Sequence, residues 1–183
     1  MRHADIRLIE PTVELKSEFL EMAEEYNAEG EKVINGIGSI DKDDFENSVG
    51  RLKDHAKGVG LPEGWVPAST YWLISRGRIV GTCNLRHRLN DFLKNLGGHI
   101  GYSVRPSERQ KGYATKMLSL VLEKARALGI TRILITCDDN NIASARVIEK
   151  NGGKLVDKTK REGSKELIRR YWIDLNGNKN ENF

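Results

Sequence analysis

Val104–Ala114, VRPSERQKGYA, joins the end of a β-type run to the start of the longest amphipathic helical pattern in the sequence. Upstream, Gly98–Val104 (GHIGYSV) reads as a strand closed by Pro106. Downstream, Gly112–Leu128 places Ala114, Met117, Leu118, Val121, Leu122, Ala125 and Leu128 at i, i+3, i+4, i+7 spacing, with Lys116, Glu123, Lys124 and Arg126 opposite. Gly129 is the natural stop of that helix. The loop between carries two cations, Arg109 and Lys111, and two small residues, Gly112 and Ala114, where backbone can approach a ligand closely. A helix N-terminus has unsatisfied N–H groups and about half a positive charge, so a pyrophosphate fits there. The stretch is neither a Walker A loop nor G-x-G-x-x-G, and read alone it also suits an ordinary basic connection.

The surrounding pattern is strand–helix alternation flanked by hairpins. Ile6, Leu8 and Ile9 form a short opening strand ended by Pro11. Thr12 then caps a helix reaching about Ala28, with Val13, Leu15, Phe19, Leu20 and Ala23 on its apolar side. Residues 30–68 hold seven glycines, helical pieces around Asp43–Asp54 and a turn region at Pro62–Pro67. Thr70–Ser75 and Arg78–Leu85 flank Arg76-Gly77, a hairpin signal. Thr131–Cys137 (TRILITC) is nearly continuous in apolar, β-branched residues and reads as a buried strand. A helix over Asn141–Asn151 follows, then Lys154–Asp157 and Glu166–Leu175 as an antiparallel pair joined around Arg161–Ser164. This order predicts an α+β (α/β-like) domain on a central mixed, mostly antiparallel twisted sheet of about seven strands, with helices on both faces.

Length and composition set the bounds. At 183 residues the chain has room for one full core, and residues 1–175 are expected to form a single domain ahead of a frayed polar tail, 176–183. Hydrophobic residues make up 38% and charged residues 31%, the profile of a soluble domain. A net charge of +4 is too small to argue for nucleic acid, though it suits a polyanionic ligand. Cys83 and Cys137 lack metal-ligand spacing, so neither a disulfide framework nor a metal is expected. The N-terminal residues have no apolar export segment and no run approaches a membrane span, which predicts a cytoplasmic protein with no membrane partner.

Arg109-x-x-Gly112-x-Ala114 resembles the R/Q-x-x-G-x-G/A signature of the GNAT N-acetyltransferase superfamily. The segment from Asn141 through Ser144, Ile148 and Lys150 to Gly152 is similar to that family's N-x-x-[AS]-x-x-x-Y-x-K-x-G helix, and Val104-Arg105-Pro106 matches the strand before its loop. Together these cover about residues 98–153, the expected coenzyme A-binding core, with acceptor-side segments at about 28–68 and 155–175. The resemblance implies an acetyl-CoA-dependent N-acetyltransferase acting on a small-molecule or peptide amine, by direct transfer in a ternary complex. It implies that the splayed end of the Gly98–Val104 strand holds the pantetheine arm through backbone groups of Tyr102 and Val104. Amides from Gln110 through Lys111, Gly112 and Tyr113 to Ala114, beside Arg109, take the pyrophosphate. Thr115 adds a hydroxyl, and Asn141 and Ser144 flank the arm; both can equally cap the helix that follows.

Acyl transfer to an amine needs a neutral acceptor and a stabilised departing thiolate. The tyrosine that many members supply as that acid is Ile148 here, the aromatic after the closing glycine is Gly153, and no carboxylate lies between Asp91 and Glu108. The remaining candidates for proton transfer are His99 and Tyr102 on the strand before the loop. His87 in Arg86-His87-Arg88 is a weaker candidate, and its bland reading is a solvated basic turn. Cys137 suits a small buried residue better than a nucleophile, and Asp138-Asp139 suit the start of the next helix.

Two other function classes are compatible with the chain. One is a coenzyme A-binding regulatory or interaction module with little turnover, favoured by Ile148. The other is nucleic-acid binding through Lys154, Lys158, Lys160, Arg161, Arg169 and Arg170. The interleaved Asp157, Glu162 and Glu166 make a solvated hairpin the better reading of that stretch. Exposed strand edges are compatible with a homodimer.

Overall fold

The chain is described from a computed structural model, over residues 5–31, 40–160, 163 and 165–176. Its first sheet is built outward from the Arg76-Gly77 turn. Both residues take positive φ (51° and 78°), the conformation that matches hairpin twist. The turn joins β2 (Ala68–Ser75) to β3 (Arg78–Arg86). β1 (Arg7–Ile9) pairs with β2, and β4 (Ile100–Val104) pairs with β3, giving the order β1-β2-β3-β4. A second sheet holds β5 (Arg132–Asp138), β6 (Lys154–Lys160) and β7 (Leu167–Asp174) in the order β5-β7-β6.

The seven expected strands are therefore present, and every ladder in both sheets is antiparallel. They do not close into one ladder. β4 and β5 end different sheets and are joined at the base of β4, where the His99 N–H donates to the Leu134 carbonyl at 2.7 Å.

Strand alternation gives the first sheet two buried faces. Trp72, Ile74 and Ile79 pack against α1 (Lys16–Ala28) and α2 (Phe45–Ala56), chiefly through Phe19, Met22, Tyr26 and Phe45. Leu73, Val80, Cys83 and Leu85 face α3 (Tyr113–Ala127), whose Met117, Leu118, Val121 and Ala125 are fully buried. α4 (Ile142–Lys150) adds Ala145 and Ile148 to that core. Helices thus cover both faces, as expected.

Local details depart from expectation. Thr12 makes no side-chain cap; a 3-10 turn, Val13–Leu15, precedes α1. Val13 is exposed, and the buried face of α1 runs Phe19, Met22, Ala23, Tyr26. Asp138-Asp139 do not begin α4: Asp138 ends β5, and Asn141 is the cap. Arg161, Glu162 and Ser164 of the last turn, and 177–183 of the expected tail, lie outside the described residues.

Candidate functional site

Where the sheets part, a cleft of about 880 Å³ opens between β4, the loop before α3, the end of β5 and the start of α4. Its β4 wall follows from ladder alternation. Arg86 N–H donates to His99 C=O, and Arg105 N–H to Val80 C=O. The backbone groups of residues 101, 103 and 105, with the His99 carbonyl, therefore face β3, and those of Tyr102 and Val104 lie on the edge toward the cleft. Arg109 Nε donates to the Val104 carbonyl at 3.3 Å, which leaves the N–H groups of Tyr102 and Val104 as donors on that edge.

The loop floor is backbone. Gln110 (φ 61°) and Gly112 (φ 84°) both take the left-handed region, which turns successive amides toward one side, and no side chain caps α3 at Gly112. A Cβ at Gly112 would meet nothing within 4 Å, so the requirement for glycine there is conformational. Tyr113, Ala114 and Thr115 form the first turn along the same cleft. The Tyr113 side chain points away, its hydroxyl 3.1 Å from Ser75 Oγ, which makes it a packing aromatic.

Both loop cations are matched by acids. Arg109 pairs with Glu29 at 2.8 Å and Glu31 at 2.7 Å, and Lys111 with Glu108 at 3.0 Å. What this loop offers an anion is therefore its amides and helix dipole rather than free side-chain charge.

At the far wall, Asn141 Oδ1 accepts the Ser144 N–H at 3.0 Å, the cap anticipated for it. Ser144 does not cap. Its Oγ lies 2.8 Å from the Tyr102 hydroxyl, which ties β4 to α4 across the cleft. Burial, with Cys137 nearby, pushes the Tyr102 phenol up to about 12 despite the Ser144 hydrogen bond, so it stays protonated through the physiological range.

The other candidates fare differently. The Leu134 N–H donates to His99 Nδ1 at 2.9 Å, and the ring meets Trp172 edge-on. Burial drops the His99 pKa to about 4, so the imidazole is neutral, with its proton on Nε2. That residue fastens β4 to β5 and is absent from the cleft lining. His87 is held by Ser69 Oγ at 2.8 Å, and burial lowers its pKa. Cys137 lines the cleft, but burial raises its thiol pKa, which disfavours a nucleophilic thiolate. Ile148 is fully buried, and a Cβ at position 153 would overlap its Cγ2 and carbonyl. The two departures from the family helix are thus one packing unit.

Asp139 pairs with Lys158 at 2.8 Å and Arg169 at 2.6 Å, and Asp157 holds Arg170. Three cations of the basic hairpin are thus paired, two of them by Asp139 from outside the hairpin.

A second cavity, about 550 Å³, lies between α2, the 61–68 segment, the ends of β2 and β3, and residues 90–93. Arg86 and Phe92 line both cavities. This lining draws on the expected acceptor segment 28–68 but not on 155–175. The Arg86 junction was missed; its signal was the cation closing an apolar strand, overshadowed by His87 beside it.

Residues 25–154 match a model for the acetyltransferase (GNAT) domain. A 65-residue stretch is 37% identical to an uncharacterized N-acetyltransferase, YnaD, of Bacillus subtilis; it covers 33% of this chain and 38% of that protein. The chain thus matches well under half the length of that curated relative. Among solved structures, RimJ of Mycobacterium smegmatis in complex with CoA-disulfide has a TM-score of 0.71 at 17% identity, covering 96% of this chain and 84% of that one. The putative acetyltransferase yncA of Salmonella typhimurium, with acetyl-CoA, has a TM-score of 0.62 at 15% identity, covering 96% of each. At such identities these two establish a shared fold.

Proposed function

The chain belongs to the GNAT acetyltransferase family, and from that premise we propose that it transfers an acetyl group from acetyl-CoA to a primary amine, directly, in a ternary complex. The observation that carries this reading is the Tyr102 hydroxyl, set against Ser144 where the two sheets part and the helix-start amides begin.

The residues present fit the co-substrate. Amides from Gln110 to Ala114 and the Thr115 hydroxyl would hold the pyrophosphate at an uncapped helix start. The free edge at Tyr102 and Val104 would receive the pantetheine amides, with Asn141 and Ser144 opposite. Acetyl-CoA supplies an electrophilic thioester carbonyl and a thiolate leaving group. The Val104 N–H is the donor placed for a developing oxyanion. Tyr102 Oη holds a proton for the departing sulfur, with Ser144 Oγ fixing its direction. The tyrosine missing from α4 is replaced, in this reading, by one on β4. Neither His99 nor Cys137 is needed for transfer.

Mixing the protein with radiolabelled acetyl-CoA alone, then varying acetyl-CoA and an amine together, tests the mechanism. Direct transfer predicts unlabelled protein and intersecting initial-rate lines. Label retained on the wild type and lost in Cys137→Ala would overturn it. Tight coenzyme binding with no transfer to any amine would favour the binding-module alternative.

A further inference from the structure

We propose that the acceptor is a small primary amine carrying a carboxylate, and that Arg86 recognises the carboxylate where the second cavity opens into the coenzyme cleft. This rests on the transferase reading and names the substrate class of the same site.

Three observations meet at Arg86. The first is position: its side chain lines both cavities, so a molecule bridging them passes it. The second is missing counter-charge. Among the described residues no carboxylate lies within 4.0 Å of Arg86, whereas Arg51 of the same cavity is matched by Asp44 at 3.0 Å. The third is partial use of its donors. Nη1 donates to the Gly97 and Gly98 carbonyls at 3.1 and 3.2 Å, which fixes the guanidinium. Those two bonds leave Nε and Nη2 of the five-donor fork for a ligand. Burial pulls the guanidinium pKa below its usual value, as expected for a desolvated cation short of a partner.

A planar fork held at one nitrogen suits a carboxylate, which accepts two parallel hydrogen bonds. The rest of the cavity sets the body of the ligand. Its lining includes one carboxylate, the exposed Glu63, so it is not built for a polycation. Trp65 and Phe92, 59% and 64% exposed, stand at it with open apolar faces, beside the buried Leu93. A cavity of about 550 Å³ is of small-molecule size. Asn84, one register step from Arg86 on the same strand face and opposite Gly101, offers an amide oxygen for the amine on the side where the coenzyme cleft begins. The chemistry described is that of an amino acid with an apolar side chain, or of an amine whose carboxylate sits on a neighbouring side chain.

The test compares kcat/KM on the wild-type protein for leucine and phenylalanine, each beside its carboxamide, and for a dipeptide starting with aspartate beside one starting with asparagine. Leucinamide and phenylalaninamide have the more readily deprotonated amines, so intrinsic reactivity runs against the expected order. We expect the carboxylate to be preferred by about thirtyfold or more in one of the two arms, amino acid or dipeptide, the scale of a desolvated charge pair. The dipeptide arm tells a main-chain carboxylate from a side-chain one. The preference should vanish in Arg86→Met and shrink in Arg86→Lys, with KM for acetyl-CoA unchanged in both. Should Arg86→Met fail to fold, Arg86→Lys and the wild-type comparison still decide. Equal or better use of the amides in both arms, a preference surviving in Arg86→Met, or a rise confined to the KM for acetyl-CoA overturns the proposal while leaving the transferase reading intact. Acetyl-CoA binding with no acetylation of any probe overturns it as well. Absence of acetyl-CoA binding instead removes the transferase reading.

Discussion

Tyr102 and His99 stand three residues apart, and their surroundings give them opposite tasks. His99 gives its ring Nδ1 to a backbone amide and is held neutral, with its pKa lowered to about 4. The unfolded chain, with a histidine near 6.5, therefore binds more protons than the folded one between those values. Stability from this site is complete above about pH 6.5 and is lost as pH falls toward 4, by on the order of 3 kcal/mol. Denaturant titrations at pH 7 and pH 4.5 should show a smaller pH-dependent loss in His99→Gln than in the wild type; an unchanged loss would remove His99 from this account. Tyr102 carries the chemical expectation. Tyr102→Phe should lower kcat by about a hundredfold, the usual scale of general acid help, with little change in KM for acetyl-CoA. Because its phenol is pushed up to about 12, kcat/KM should rise with pH as the acceptor amine deprotonates and show no descending limb below about pH 11. A descending limb near pH 10 that disappears in Tyr102→Phe would contradict the raised value. Both residues were visible as candidates in the sequence. Their division of labour was not, because it depends on Leu134 and Ser144, which are 35 and 42 positions away.

The element that holds the loop is α1. Glu18, Glu21 and Glu25 lie on one helical face and converge on Arg105, at 3.0, 3.4 and 2.7 Å. Arg105 is 1% exposed and anchors the strand-to-loop transition. Burial works to raise the Glu25 carboxyl, but the Ser107 N–H and Arg105 outweigh it and leave its pKa below the usual range. Removing the buried cation would leave these acids facing one another with only the half-exposed Arg78, 3.8 Å from Glu18 and Glu25, beside them, so Arg105→Met should reduce unfolding free energy by about 3–5 kcal/mol in denaturant titration. A loss under about 1 kcal/mol would show that the cluster is no more than a surface network. Gly112→Asp makes the complementary case. Its site has open space, so the folding cost should be confined to left-handed strain of about 1–2 kcal/mol. A carboxylate there nevertheless repels the pyrophosphate, and coenzyme binding should be lost. The helices, the hairpin and the strand-to-helix loop were legible because periodicity, turn residues and stop signals are local. The α1 acid stripe was not, since glutamates on a helix face read as solvated until a buried arginine is known to meet them.

Across the whole molecule, the proposed site depends on two sheets that part. Seven strands and helices on both faces could be read from the order of elements, but the gap between β4 and β5 could be expected only from the family resemblance. That gap is a property of which edges stay unladdered, and no local pattern encodes it. Of the segments expected on the acceptor side, α2 and 61–68 line the second cavity, together with Arg86, Asn90, Phe92 and Leu93 from outside them. On the proposed reading acetyl-CoA is a ligand of the folded chain alone, and it should raise the melting temperature in proportion to the logarithm of its concentration. The most direct test of the central claim is the initial rate of coenzyme A thiol release from acetyl-CoA with a panel of primary amines, wild type beside Gly112→Asp. The account predicts amine-dependent release by the wild type and none above background from the variant at the same acetyl-CoA concentration. Undiminished release by Gly112→Asp, or wild-type release that does not depend on the amine, would contradict it.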